Sequence, residues 1–171
     1  MKKSRGLMRR FLILFVSAAL ITVATACGSS RNSSVPASAT TGYCPVCQMK
    51  VKSDDLYASE IIYSDGTKLM FETAGDMLAF YSAPDRYDVP PAQKDRANIE
   101  KIQVKDFQTR DVMDARRAVL VYKSRIKGPM GPDVFAFATE MAANNFMQTN
   151  GGTVVAFDDL TPEMVQNLRK Q

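Results

Sequence analysis

The apolar positions of this chain change period several times, and each change marks a predicted element. Leu56 to Tyr63 alternates, with Tyr57, Ile61 and Tyr63 on one side, which predicts a strand. Ser64-Asp65-Gly66-Thr67 is a tight hairpin signal, because Asp and Gly tolerate the positive φ that such turns need. Lys68 to Glu72 returns as the partner strand. Thr73-Ala74-Gly75-Asp76 then reads as a capping-box-like helix start, followed by Ala74, Met77, Leu78 and Tyr81 at helical spacing, until Pro84 stops the helix. Ala83 to Asn98 is polar and proline-containing and reads as a connecting loop. Ile102 and Val104 alternate with polar neighbours in a strand ending near Phe107. Met113 falls in a turn.

Ala118 to Tyr122 is a short apolar run, expected as a strand buried on both faces. Gly128-Pro129-Met130-Gly131-Pro132 is a turn-rich loop, Val134 to Phe137 a strand and Thr139 to Gln148 a helix. Gly151-Gly152 ends that helix, and Thr153 to Phe157 is a last strand. Thr161-Pro162-Glu163 opens a short terminal helix with Thr as cap and an acid near its positive end; Met164, Val165 and Leu168 form its apolar face.

The pattern contains an internal echo. Phe71-Glu72-Thr73 to Phe80 and Phe137-Ala138-Thr139 to Phe146 share Phe-x-Thr, six residues, then Phe, although only three of ten positions are identical. Each copy is a strand-to-helix junction that precedes another strand. Coincidence is the competing explanation. The expected class is α+β, with two similar ββαβ halves packed as one compact unit, about 43–108 and about 109–171.

The N-terminus changes the picture of where the protein works. Residues 1–10 carry five basic side chains and no acid, and Phe11 to Val23 is a short apolar run leading to Ala24-Thr25-Ala26. This is a secretory signal, 1–26, too short to favour a membrane-spanning helix. Val23-Ala24-Thr25-Ala26-Cys27 resembles a bacterial lipobox, in which the cysteine is diacylated and becomes the new N-terminus; Ala24 stands where leucine is usual. Ordinary cleavage leaving a free Cys27 thiol is the rival. Residues 27–42, rich in Ser, Thr, Ala and Gly, read as a flexible tether. The expected location is the cell envelope, anchored to the membrane by lipid and facing the periplasm. Without the signal the chain has 17 basic and 18 acidic residues, so the net charge of +4 becomes −1 and offers no case for nucleic-acid binding.

Candidate chemistry concentrates in Tyr43-Cys44-Pro45-Val46-Cys47-Gln48-Met49. Two thiols and a thioether within six residues are soft donors that favour Cu(I). A structural zinc site usually takes four Cys or His ligands, and the chain has no His and no second Cys-x-x-Cys. A thiol–disulfide pair and a plain structural disulfide are the other readings of Cys44 and Cys47. Met130, between Pro129 and Gly131, is the next sulfur candidate, because it sits in a loop rather than on a helical stripe. No triad, phosphate loop or paired acid appears, which points away from an enzyme.

The chain resembles the NosL-type lipoproteins, accessory proteins of nitrous oxide reductase, over roughly residues 43–158. The resemblance rests on Cys44-x-x-Cys47-x-Met49, the Asp65-Gly66 hairpin followed by Phe71 and a helix, Asp114-Ala115-Arg116-Arg117-Ala118, the Pro129-Met130-Gly131 loop before Phe135-Ala136-Phe137, and Gly151-Gly152 before Phe157. It implies a Cu(I) chaperone that passes copper toward nitrous oxide reductase, another cuproprotein, or a membrane assembly complex. It implies Cys47, Met49 and Met130 as metal ligands with Cys44 as a fourth or alternate donor. Family members usually carry Gly where this chain has Gln48, and some use a histidine ligand that this chain lacks. A periplasmic thiol–disulfide protein and a metal-free lipoprotein scaffold of a membrane complex are the competing functions.

Overall fold

The computed structural model describes residues 40–168. The export signal, Cys27 and most of the tether lie outside the described residues. Thr40–Thr41 (β1) already pair in parallel with Lys68 and Leu69, so strand pairing begins inside the stretch read as tether. Ser59–Tyr63 (β2) and Lys68–Phe71 (β3) form the expected hairpin, with Gly66 at φ 85° and Asp65 Oδ1 accepting from the Thr67 N–H at 2.8 Å. Ala74–Ser82 (α1) follows. The segment read as a loop instead holds short helical turns at Pro84–Arg86, Pro91–Lys94 (α2) and Arg96–Asn98. Two of these start on proline, whose missing N–H needs no partner at a first helical position.

Ile99–Lys105 (β4) returns to the sheet. Val112–Asp114 (β5) pairs antiparallel with it, where the sequence predicted only a turn at Met113. The reason is plain: this edge strand leaves Val112 and Asp114 in solvent, so no buried face stamps an alternation on it. Val119–Tyr122 (β6), Lys127–Gly128 (β7), Gly131–Pro132 (β8) and Phe135–Phe137 (β9) follow; β7 and β8 turn the expected loop into a small hairpin with Pro129 and Met130 at its tip. Glu140–Asn150 (α3), Thr153–Val155 (β10) and Pro162–Leu168 (α4) complete the chain. Among the described residues no helix is long and apolar enough to cross a membrane.

The two halves share one topology. In the first sheet β2 lies between β3 and β4, antiparallel to both, and α1 connects β3 to β4. In the second, β6 lies between β9 and β10, antiparallel to both, and α3 connects β9 to β10. The repeated residues have matching jobs. Phe71 packs on Phe80 at 5.4 Å between ring centroids, and Phe137 on Phe146 at 5.0 Å. Thr73 caps α1 by accepting from the Asp76 N–H, and Thr139 caps α3 by accepting from the Ala142 N–H. Three identities in ten therefore suffice, because they are the aromatic clamp and the cap that define the junction.

The strand β6 explains its own continuous apolarity. Leu120 and Tyr122 enter the main core with Ile61, Phe71 and Phe80, while Val121 enters a second cluster with Phe135, Phe137 and Phe146. A strand covered on both faces loses the alternation of a half-exposed one. Asp106, 2 % exposed, fastens the halves together by accepting from the N–H groups of Gln108, Thr109 and Ala138.

Candidate metal centre

The Cys-x-x-Cys segment is the tip of a narrow loop. Tyr43 and Lys50 form an antiparallel bridge, and Val51 N–H donates to the Gly42 carbonyl at 2.8 Å. Inside that bridge the Cys44 N–H donates to the Met49 carbonyl and the Gln48 N–H to the Cys44 carbonyl, both at 2.8 Å. These bonds curl the chain so that both cysteines face the N-terminus of α1. There the Cys44 Sγ, the Cys47 Sγ and a carboxylate oxygen of Asp76 lie within 4.8 Å of one another. The Cys44 thiol donates to Asp76 Oδ2 at 3.4 Å, and the Cys47 thiol to Glu72 Oε2 at 3.6 Å.

Burial is uneven across this group. Cys44 is fully buried and Asp76 is 1 % exposed, whereas Cys47 is half-buried. The two cysteines are thiols, not a disulfide. Burial pushes the Cys47 thiol up to about 12; the Met49 backbone N–H opposes that, and the Cys44 thiol and the Glu72 charge add to it. The positive end of α1 favours negative ligands gathered there.

Of the four sequence-predicted sulfurs, the fold brings Cys44 and Cys47 together. Met49 and Met130 are exposed, at 47 % and 56 %. Met130 hangs from the tip of the β7–β8 hairpin and lines a cavity of about 230 Å³ shared with Asp76, Asp133 and the α4 residues Val165 and Leu168.

Asp76 and Glu72 are the residues that the sequence reading missed as site groups. Asp76 was hidden by its place in a plausible capping box. The internal repeat holds the signal that could have exposed it: Glu72 and Asp76 occupy the positions of Ala138 and Ala142 in the second copy. Thr139 caps that helix with no carboxylate at either position, so the helix start can form without them.

Asp133 sits beside this centre, 5 % exposed, with Oδ1 accepting from the N–H groups of Gly75 at 2.9 Å and Val134 at 2.8 Å. Burial raises its carboxyl to about 6; the N–H groups of Val134 and Gly75 and the Thr73 hydroxyl hold it lower than burial alone would, and the Glu72 charge pushes it up further. The folded protein therefore keeps this proton to about 6, and the unfolded chain only to the ordinary 3.8. Stability from this group falls as pH rises through that window, by about 3 kcal/mol in total. Urea unfolding of metal-free protein at pH 4 and pH 7 should show this loss in the wild type relative to Asp133→Asn. An equal pH response in both would contradict it.

The family model for NosL matches residues 36–165. The chain belongs to the NosL family. Among solved structures, the crystal structure of the copper chaperone NosL from Shewanella denitrificans is similar, with TM-score 0.58 and 21 % identity over 71 % of this chain and 90 % of that one. The solution structure of the apo-NosL protein from Achromobacter cycloclastes has TM-score 0.45 and 25 % identity, covering 63 % of this chain and 87 % of that one. No curated protein matches.

The departure from the NosL pattern at Gln48 leaves the backbone in a glycine-like state. Gln48 has φ 62°, in the left-handed region, and its Nε2 donates to the Pro45 carbonyl at 3.0 Å. A left-handed non-glycine residue costs about 1–2 kcal/mol, partly offset here by that bond and by the lower unfolded-state entropy of Gln. Gln48→Gly should change unfolding free energy by less than about 1 kcal/mol, whereas the β-branched Gln48→Val should cost about 2 kcal/mol. Denaturant titration of both variants checks this. Equal effects would mean that the loop is not held in this conformation.

Proposed function

We propose that this NosL-family protein is a non-enzymatic Cu(I) carrier of the cell envelope. Lipidated Cys27 tethers it to the membrane with the domain facing the periplasm. It delivers copper to a cuproprotein, with nitrous oxide reductase or its membrane assembly complex as the client. The observation that carries the reading is the convergence of the Cys44 and Cys47 thiols with Asp76 at the start of α1. The similarly folded Shewanella protein is described as a copper chaperone, which agrees with it.

The chemistry follows from the donors. Two thiolates satisfy a soft monovalent ion, which accepts a low coordination number. Asp76 adds a hard oxygen, so the donor set is mixed rather than all sulfur. Met130, exposed on the cavity it shares with Asp76, and Met49, exposed two residues after Cys47, offer neutral thioethers that bind Cu(I) more weakly and exchange more readily. One buried and one half-buried thiol with exchangeable thioethers suit an ion that must be both held and passed on. No step requires a change in covalent bonding, only proton loss from the thiols and ligand exchange.

The same thiol–carboxylate set gives a specific reason to consider Zn(II), which accepts Cys and Asp ligands. Redox chemistry is less well supported, because reactive thiols have lowered pKa values and that of Cys47 is raised. Titrating the reduced, anchor-free domain against a chromogenic Cu(I) chelator, with and without Zn(II), tests the proposal. The expected result is withdrawal of about one Cu(I) per chain that excess Zn(II) does not reverse. Failure to compete with the chelator, or displacement by stoichiometric Zn(II), would overturn it.

A further inference from the structure

We infer that Asp133 is a positioning residue for the metal centre, fixing the Met130 hairpin against the N-terminus of α1. The inference rests on the Cu(I) reading above and goes further, because it assigns a task to a residue that holds no metal itself. Asp133 directly follows β8, at the base of the hairpin whose tip carries Met130. Its Oδ1 crosses to the other half of the molecule and accepts from the Gly75 N–H, one residue before Asp76. One carboxylate thus links the strand end that carries the thioether to the helix turn that carries the buried oxygen donor.

The surroundings are shaped to this carboxylate. A Cβ on Gly75 would collide with Asp133 Oδ1, and a Cβ on Gly128 would stand 2.5 Å from Oδ2. Gly75 lies in the first turn of α1, where glycine is less favourable than most residues. The matching position in the second copy is Met141, which is 72 % exposed. Two glycines from separate elements therefore make room for one side chain, which a loosely placed surface acid would not require. Asp76, Met130, Gly75 and Asp133 all line one cavity, so the bracket stands in the wall between the two donors' elements. Groups that orient metal ligands without touching the ion typically control about 10- to 100-fold in affinity.

The test is a double-mutant cycle on the intact domain, read by Cu(I) competition titration, with thermal unfolding recorded for each variant. Asp133→Ala and Met130→Ala should each weaken Cu(I) binding about tenfold, and the double variant should be no weaker than Met130→Ala alone. Asp133→Asn keeps an oxygen acceptor for the same N–H groups and should bind within about twofold of wild type. That rescue, and the lack of additivity, are readouts that general destabilisation would not produce. If Asp133→Ala does not fold, Gly128→Ala, which drives a methyl at the same carboxylate, takes its place in the cycle with the same expected pattern. Multiplicative losses, an unaffected Asp133→Ala or Met130→Ala, or an Asn variant as weak as the Ala variant would overturn the inference while leaving Cu(I) binding by wild type intact. Absence of Cu(I) binding by wild type itself would instead remove the carrier reading, and this one with it.

Discussion

Cys47→Ala lowers Cu(I) affinity by about 70- to 1,000-fold. The scale is that of structural zinc sites, where roughly 10–16 kcal/mol shared among four thiolate-type ligands gives about 2.5–4 kcal/mol per ligand. Cys47 is half-buried and lies outside the fully buried core, so its loss removes a donor with little damage to packing. Cys44 is a poorer choice for this measurement, because it is fully buried within the main core and its removal leaves a cavity there. Competition titration with the chelator, alongside circular dichroism to show an unchanged fold, gives the result directly. A Cys47→Ala variant within about tenfold of wild type would mean that the Cys47 thiolate does not hold the ion, because a loss that small is what a weak thioether or a non-ligand produces.

Cu(I) affinity also rises steeply with pH. The Cys47 thiol, pushed up to about 12 by burial, carries its proton throughout the physiological range. Binding through its sulfur must displace that proton, so each displaced proton raises the apparent association constant about tenfold per pH unit. From pH 6 to pH 8 the gain is about 100-fold for the Cys47 proton. The slope of log affinity against pH therefore counts the protons displaced. A flat profile would contradict thiolate ligation, and Cys47→Ala should reduce the slope by about one.

What could be read from the sequence follows from how strongly each residue's surroundings mark it. The Asp65-Gly66 hairpin, the Thr73 cap and the Gly151 helix end are legible, because each is a local device with its own chemistry. The repeated halves were legible from two phenylalanines and a threonine, since those residues clamp strand to helix in both copies. The strand at Val112–Asp114 was not, because an exposed edge strand carries no alternation. The helical turns between Ser82 and Ile99 were equally silent; prolines and polar residues there fit loop and helix start alike.

The site shows the same division. Cys44 and Cys47 announce themselves by residue type and spacing. Asp76 does not, because its chemistry is long-range: it meets Cys44 across 32 residues of chain and looks locally like a capping acid. Asp133 is more hidden still, since its task depends on Gly75, 58 residues away. Residues that act through tertiary contacts leave only indirect traces, here the alanines in the second copy and Gly75 in the first turn of a helix.

X-ray absorption at the copper edge of the Cu(I)-loaded domain reads the atoms around the ion. Ligation by the Cys44 and Cys47 thiolates should give a Cu(I) edge with a first shell dominated by about two or three sulfurs, losing about one sulfur in Cys47→Ala. A first shell of nitrogen and oxygen alone, or one unchanged by Cys47→Ala, would contradict it.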